Sequence, residues 1–208
     1  MKVVVEGWAD GGSIPSKFAF GQIPTEGRFE LGGNVSPCIS WCDAPEGTKS
    51  FAVVCHDPDV PSSGDDVNQE GKIVSADLPR VDFFHWVLAN VPASTSRIEE
   101  GAASSGVTPR GKQPGTRSYG TAGVNNYTDW FAGDPDMEGT YGDYDGPCPP
   151  WNDEIIHHYH FTVYALDVER LDLADSFGGP DVLTAIQGHV LASDSFVGTY
   201  TMNRDIKD

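Results

Sequence analysis

The order of hydrophobic and polar positions predicts many short strands. Residues 49–56 and 83–90 are almost continuously apolar and rich in β-branched and aromatic side chains, which is typical of buried strands. Residues 157–162 form a further strand in this interpretation, residues 2–6 a short edge strand, and residues 195–202 the last strand. We therefore expect a mainly β protein.

Residues typical of turns and of helix starts lie between these predicted strands. Residues 33–41 lead into another strand, and the turn 44–47 is short enough to pair it antiparallel with residues 49–56. A short helical turn is predicted within 168–177. The apolar spacing over 182–192, directly after a Gly-Pro-Asp start signal, predicts a helix near the C-terminus.

Two polar stretches read as loops. Residues 62–81 are predicted to form a loop on the surface. Residues 93–144 are predicted to form long loops with scattered aromatic side chains. The 208 residues are 38% hydrophobic and 11% aromatic, enough for one sizeable core. We expect residues 1–208 to form a single domain.

The amino-acid composition argues against several classes of binding partner. The formal net charge of −18 argues against nucleic acid and against adsorption to anionic lipid surfaces. The N-terminus lacks the apolar stretch of a signal peptide, and no segment approaches transmembrane length, so we expect a cytoplasmic protein with no integral membrane association. The cysteines should then be reduced, and Cys38 and Cys42 lack a second thiol pair for zinc, which favours buried thiols.

The segment Asp57-Pro58-Asp59-Val60-Pro61 follows a predicted buried strand directly. The two prolines restrict the backbone, so the carboxylates at positions i and i+2 can lean to the same side. A solvated turn fully accounts for the same residues. The segment is therefore either a turn or the acidic edge of a site.

Histidines mark two other strands. His85 is the polar exception in the apolar run 83–90, and is either a satisfied core group or a site residue. A proline-stiffened loop at 146–150 precedes the strand in which His157, Tyr159 and Phe161 face one way. Imidazole and phenol groups thus stand beside a rigid turn.

Taken in order, these motifs resemble the phosphatidylethanolamine-binding proteins, and particularly their prokaryotic, Raf kinase inhibitor-like branch. The resemblance covers about residues 30–202. It rests on several separate segments: 33–37, 44–50, 57–61, 85–92, and 146–150 followed by 157–159. Each is weak alone, but the ordered series is specific.

The resemblance implies an antiparallel β-sandwich with a few peripheral helices and a small pocket at one end of the large sheet. In relatives this pocket takes phosphate, other small anions or a phosphoryl-ethanolamine headgroup. Carried over by motif, the ligand-binding residues would be the acidic edge Asp57 and Asp59, the imidazole walls His85 and His157, the floor Cys148 and Pro149, the hydroxyl donor Tyr159, the neighbouring Trp86, and a lid residue, Tyr200.

The chain departs from the family pattern in two places. His158 stands where the family usually has arginine, which removes a bidentate partner for a carboxylate. The loops at about 62–84 and 128–144 are longer than in the short members. They offer room for a protein partner or a homodimer contact.

Three functions follow from this interpretation. The first is a binding protein for a small anion or phosphorylated headgroup, with a regulatory role and without a cofactor or metal. A carboxylate would orient each imidazole and raise its pKa, leaving the other ring nitrogen as a donor to the pocket, so that binding weakens as pH rises.

The alternatives are a hydrolase or other acid-base enzyme that uses the His and Asp groups, and an inhibitor that docks on a kinase or protease. The sequence contains no nucleophile elbow and no His-Glu-x-x-His motif, which weighs against the first alternative. A fold shared with relatives does not by itself support the second.

Overall fold

The computed structural model describes residues 1–206. In chain order, the strands, the two helices and one 3-10 turn are β1 (Lys2–Val5), β2 (Gly12–Ser13), the 3-10 turn (Ser16–Phe18), β3 (Gly21–Gln22), β4 (Glu30–Leu31), β5 (Ile39–Cys42), β6 (Ser50–Pro61), β7 (Arg80–Pro92), β8 (Arg97–Ile98), β9 (Gly115–Arg117), β10 (Gly120–Ala122), α1 (Tyr127–Trp130), β11 (His157–Leu166), α2 (Gly179–Ala185) and β12 (Val190–Tyr200).

Three sheets carry the fold. The large sheet has the order β2-β12-β11-β6-β7-β10-β9, a second sheet has the order β1-β5-β8, and β3 pairs with β4. The strand pairs are antiparallel apart from the parallel pairing of β12 with β2. The prediction of a mainly β, sandwich-like protein with few helices is confirmed.

The large sheet is covered on both faces, which explains its continuously apolar strands. In β6, Val53 and Cys55 belong to the core shared with β1 and β5, while Ala52 and Val54 pack on the opposite face with Val182 of α2. Successive side chains of a strand point to opposite faces, so a strand buried on both faces needs apolar residues throughout. β6 accordingly lies in the middle of the sheet.

The antiparallel pairing expected across the turn 44–47 is wrong. β5 pairs with β1 and β8 in the second sheet, whereas β6 pairs with β7 and β11 in the large sheet. The backbone takes positive φ at Asp43 (54°) and Gly47 (89°), where the chain crosses between the sheets. The connection is thus a corner of the sandwich, because a strand with two apolar faces is buried best inside the larger sheet.

The C-terminal helix exists but is shorter than predicted. α2 ends at Ala185, and Val190 already begins β12 by pairing with Leu166. Gly188, with φ of 82°, lies in the reversal between the helix and the strand, where glycine adopts this conformation without strain. The segment 168–177, predicted as a helical turn, contains bends but no helix.

The segment 57–61 continues β6 instead of ending it. Asp57 pairs with Phe83 and Val60 with Val81, with a shift of register between the two pairs. Pro58 has no N–H to donate to a ladder, which fits an irregular part of a strand. Irregularities of this kind re-aim side chains, and this one lies where the large sheet meets the loops described next.

The loop after β6 is tied to a distant part of the chain. Val74 forms a β-bridge with Asp153, and the Asn152 side chain accepts from the backbone N–H of Asn68 at 2.9 Å and donates to the carbonyl of Asp66 at 2.9 Å. The loop 62–79 therefore lies against residues 151–154. No helix among residues 1–206 combines the length and the apolar character needed to span a membrane.

Candidate ligand-binding site

A cavity of about 310 Å³ opens at the end of the large sheet where β6 finishes and β7 and β11 begin. Three strands direct Asp57, His85 and His157 to its wall, and Tyr159 follows two residues after His157. Aromatic side chains provide much of the remaining lining: Phe20, Phe29, Phe83, Tyr127, Phe131 and Trp151. The cavity thus combines an apolar body with a few polar groups, as ligand sites usually do.

Asp57 and His157 form one buried pair. Oδ2 of Asp57 lies 2.7 Å from Nδ1 of His157, and Oδ1 of Asp57 accepts the backbone N–H of Asp59 at 2.8 Å. The exposed fractions of the two side chains are 1% and 0%. The Asp57 carboxylate is therefore engaged on both oxygens and does not face the cavity as a free charge.

The second nitrogen of His157 is also engaged, contrary to the expectation that it faces the pocket as a donor. Nε2 lies 3.1 Å from Oδ2 of Asp153, which is held in turn by two Arg80 nitrogens at 2.6 and 3.0 Å. Burial opposes the charged form of His157, but the flanking carboxylates Asp153 and Asp57 outweigh it and raise the pKa to about 9. His157 is an imidazolium at neutral pH.

Sequence reasoning missed Asp153 and Arg80. Asp153 stands four residues before His157, yet the intervening chain is not a helix, so the spacing alone predicts no contact. Burial works to raise the Asp153 pKa, but hydrogen bonds from His157 and Arg80 keep it below its ordinary value. The row Asp57, His157, Asp153 and Arg80 alternates in charge and sums to zero.

His85 is held differently. Its Nδ1 lies 2.8 Å from the carbonyl oxygen of Asp145, which accepts the ring N–H and leaves Nε2 as an acceptor when the ring is neutral. Burial is the main cause that lowers the His85 pKa to about 4, against the opposing effect of Asp57. Asp57 does act to raise the His85 pKa, as expected of a nearby carboxylate, but burial outweighs it, so the expected net rise is wrong for this histidine. His85 is buried and also lines the cavity, so the core and site interpretations both apply.

The Asp145 carboxylate fixes the loop that carries this carbonyl. It accepts from Lys112 Nζ at 2.8 Å, Asn34 Nδ2 at 2.8 Å and Asn125 Nδ2 at 2.9 Å. Asn34 also accepts the backbone N–H of Gly146 at 2.8 Å. The tautomer and position of His85 thus depend on a buried polar network outside the cavity.

Tyr159 brings an unpaired hydroxyl to the site. The side chain is 1% exposed and its ring packs edge-on against His85, with centroids 5.1 Å apart. Its oxygen makes no hydrogen bond of good geometry with the described residues. It lies close to the Asp57 carboxylate, however, and burial together with this carboxylate raises the pKa of the hydroxyl well above its ordinary value. A buried hydroxyl without a partner costs about 1–3 kcal/mol, so an acceptor that reached this oxygen would stabilise it.

Cys148 and Pro149 line the cavity as the sequence predicts. Prolines flank Cys148, so within 147–150 the backbone N–H belongs to Cys148 alone. Burial raises the pKa of the Cys148 thiol to about 12, and the thiol stays protonated at neutral pH.

Three predicted site residues lie outside the cavity lining. Asp59 turns toward His158, accepting from its backbone N–H at 2.9 Å and pairing with its Nδ1 at 2.8 Å. Trp86 is fully buried in the core between the sheets, edge-on to Tyr144. The Tyr200 hydroxyl donates to the carbonyl of Gly21 at 2.9 Å, so it supports a neighbouring loop.

No group of three or more His, Cys, Asp or Glu side chains within residues 1–206 is arranged to hold a metal ion. The four cysteines are free: Cys38 and Cys55 are buried, Cys148 is half-buried, and Cys42 is exposed. The expectation of a buried thiol therefore holds for Cys38 and is wrong for Cys42.

Known proteins resemble this chain over almost its full length. Residues 5–201 match the family described as phosphatidylethanolamine-binding protein. The UPF0098 protein YbhB of Escherichia coli is 31% identical over 97% of this chain and 100% of its own length. A UPF0098 protein of Methanothermobacter thermautotrophicus is 32% identical over 96% of this chain and 98% of its own length.

The fold has a counterpart among crystal structures. The structure of Escherichia coli YbcL, described as a new member of the mammalian PEBP family, superposes with a TM-score of 0.67. It is 24% identical in sequence and covers 99% of this chain and 98% of YbcL. This likeness supports the sandwich architecture given above.

Proposed function

Because the chain belongs to the phosphatidylethanolamine-binding protein family, in its prokaryotic branch, we propose that the cavity binds a small phosphorylated anion of the phosphoryl-ethanolamine type. The observation that carries this proposal is the buried Tyr159 hydroxyl, which makes no hydrogen bond of good geometry with the described residues and stands beside His85 at the cavity wall. A phosphoryl oxygen would accept this hydroxyl and the nearby Cys148 backbone N–H.

The balance of charges beside the cavity supports binding of an anion, although Asp57 and Asp153 lie there. A bare carboxylate would repel a phosphate by several kcal/mol at low effective dielectric. Here Asp57 is offset by the His157 imidazolium and Asp153 by Arg80. The row Asp57, His157, Asp153 and Arg80 is thus neutral in sum, and the anion meets donors instead of free carboxylates.

One proton is expected to bind together with the ligand. His85 is neutral above a pH of about 4 and presents Nε2 as an acceptor. A phosphate monoester loses its second proton at a pKa of about 6, so its monoanion retains a P–OH group that can donate to Nε2. Affinity should therefore fall as pH rises through about 6, because the dianion has no proton for this contact.

The aromatic lining supports an ammonium group at the other end of the ligand. Phe83 and Phe131 pack around Tyr127 with ring centroids 5.3 and 5.6 Å from it, and Trp130 lies further out with 51% exposure. Aromatic faces attract ammonium ions, which favours phosphoryl-ethanolamine over inorganic phosphate. A headgroup on a lipid and a free phosphoryl-ethanolamine share this chemistry.

Isothermal titration with phosphoryl-ethanolamine at pH about 5.5 and about 7.5 tests the proposal. We expect tighter binding at the lower pH, and a loss of about tenfold in Tyr159→Phe, which removes one hydrogen bond to a charged group. His158→Gln is the matched control, because His158 is exposed and its ring pairs with Asp59 outside the cavity lining.

Equal affinity in wild type and Tyr159→Phe would contradict this mode of binding, as would affinity that does not change with pH. Lipid vesicles containing phosphatidylethanolamine, compared with phosphatidylcholine vesicles, distinguish a lipid headgroup from a free one. Binding to both free phosphoryl-ethanolamine and the vesicles would extend the proposal to the lipid.

The acid-base alternative finds less support. Both His157 nitrogens are engaged by carboxylates, so this ring has no free lone pair to act as a base. A regulatory role and a cytoplasmic location remain proposals. The free cysteines are consistent with a reducing compartment.

A further inference from the structure

A second groove, of about 570 Å³, lies at the far end of the large sheet from the cavity. Here β6 begins and β7 ends, next to β10 and the chain leaving β11. Lys49, Asn90, Arg117, Thr121 and Arg170 are among the residues that line it. Residues 50–57 of β6 separate the two ends by roughly 23 Å, at about 3.3 Å per residue.

Two cations in this groove are unpaired. The chain has 31 acidic residues against 13 lysines and arginines, and most of the cations lie within 4.0 Å of a carboxylate. Among residues 1–206, Lys49 and Arg170 have no such partner. Even Glu169, which lines the same groove, is not within that distance of either. In the described part of the chain, Lys2, Arg110 and Arg204 also lack a carboxylate partner, but they do not line this groove, where two such cations share one concave surface.

The other lining residues supply fixed donors. Asn90 takes a positive φ of 54°, and its Oδ1 accepts the backbone N–H of Leu171 at 2.8 Å, so its side-chain NH₂ remains to donate. Thr116, Ser118 and Thr121 add hydroxyl groups. Together these groups match the oxygens of an anion.

Arg117 forms a rigid wall of the groove and is not a free cation. Its Nε donates to Asp143 at 2.7 Å and one terminal nitrogen donates to the carbonyl of Gln113 at 2.6 Å. Its charge is therefore offset, and recognition of an anion rests on Lys49 and Arg170.

We propose that this groove binds a small phosphate compound carrying at least two negative charges, held between Lys49 and Arg170. A net charge of −18 repels anions at long range, so a single negative charge would gain little from one exposed cation. A dianion or polyanion can engage both cations and the Asn90 amide at once. The groove volume suits a small molecule.

Titration with inorganic pyrophosphate, followed by NMR of the backbone amides at pH 7, tests this site. At about 20 mM salt the Debye length is about 20 Å, so exposed charges are only weakly screened. We expect shifts at Thr121 and Arg170, and about tenfold weaker binding in the double variant Lys49→Ala/Arg170→Ala, because each exposed charge contributes a few-fold. Glu169→Gln should tighten binding about twofold.

The matched control is Lys2→Ala/Arg110→Ala, which changes the net charge equally but removes exposed cations that do not line the groove. An equal loss in both double variants would overturn the site, since it would show only the effect of net charge. Absence of binding by the folded wild type would overturn it too, as would shifts confined to His85 and Tyr159. Retention of pyrophosphate shifts in Tyr159→Phe separates this groove from the cavity.

Discussion

Two histidines line one cavity from different strands, and their pKa values are shifted in opposite directions. His157 on β11 lies between two carboxylates and has its pKa raised to about 9. His85 on β7 donates to one backbone carbonyl and has its pKa lowered to about 4. Both rings are buried, so burial alone does not decide the charge.

The difference shows what each side of the cavity can do. The carboxylates on both nitrogens of His157 stabilise its charge by more than burial opposes it. At His85, burial outweighs the effects of the Asp57 charge and of the Asp145 carbonyl. His157 consequently neutralises Asp57 and holds the strand ends together. His85 and Tyr159 keep atoms that a ligand can use.

The largest expected effect on stability comes from disrupting the row of Asp57, His157, Asp153 and Arg80, which keeps His157 charged. Asp153→Asn removes the buried carboxylate charge that pairs with Arg80 and His157. We expect this change to lower the free energy of unfolding by about 3 kcal/mol at pH 7. Urea denaturation measures this change.

The control for that variant is Asp167→Asn. Asp167 pairs with His189 at 2.9 Å, but both side chains are more than 40% exposed, so the change should stay within about 0.5 kcal/mol. If Asp153→Asn were as mild as the control, the row would not stabilise the fold.

The next effect is the dependence of stability on pH. The His157 pKa is raised from 6.5 to about 9 on folding, so its contribution is fully present below pH 6.5 and is lost as pH rises through about 9. At 1.36 kcal/mol per pKa unit this amounts to roughly 3 kcal/mol. Unfolding free energies measured from pH 6 to 10 in wild type and His157→Gln should show a fall that the variant lacks. Parallel curves would mean that His157 is not charged.

The smallest expected effect on stability is that of removing the Tyr159 hydroxyl, which is proposed to contact the ligand. Tyr159→Phe removes a hydroxyl that makes no hydrogen bond of good geometry with the described residues, so we expect unfolding free energy to stay equal or to rise by about 1 kcal/mol without ligand. Thermal denaturation measures it, with Tyr144→Phe as control, because the Tyr144 hydroxyl donates to the carbonyl of Phe18 at 2.7 Å and its loss should destabilise. Destabilisation by Tyr159→Phe as large as in the control would show that this hydroxyl is satisfied inside the protein.

Local patterns predicted much of the fold. Apolar runs identified β6 and β7, and the alternation in β11 placed His157 and Tyr159 on one face, which the cavity confirms. The order of the motifs brought Asp57, His85 and Cys148 to the same site through resemblance to a family. These features depend on side-chain periodicity and on short segments, both of which can be read along the chain.

Tertiary structure alone decided the chemistry of the site. The contacts of His157 with Asp57 and of Arg80 with Asp153 join residues 100 and 73 positions apart, and no local pattern encodes such pairs. The same packing turned Asp59 and Tyr200 away from the cavity and left β5 and β6 in separate sheets. By itself, the sequence indicated several of the titratable residues that line the cavity, namely Asp57, His85, Cys148, His157 and Tyr159. Which of them is charged depends on solvent exclusion and on the number of carboxylates within hydrogen-bond distance, and those exist only in the folded molecule.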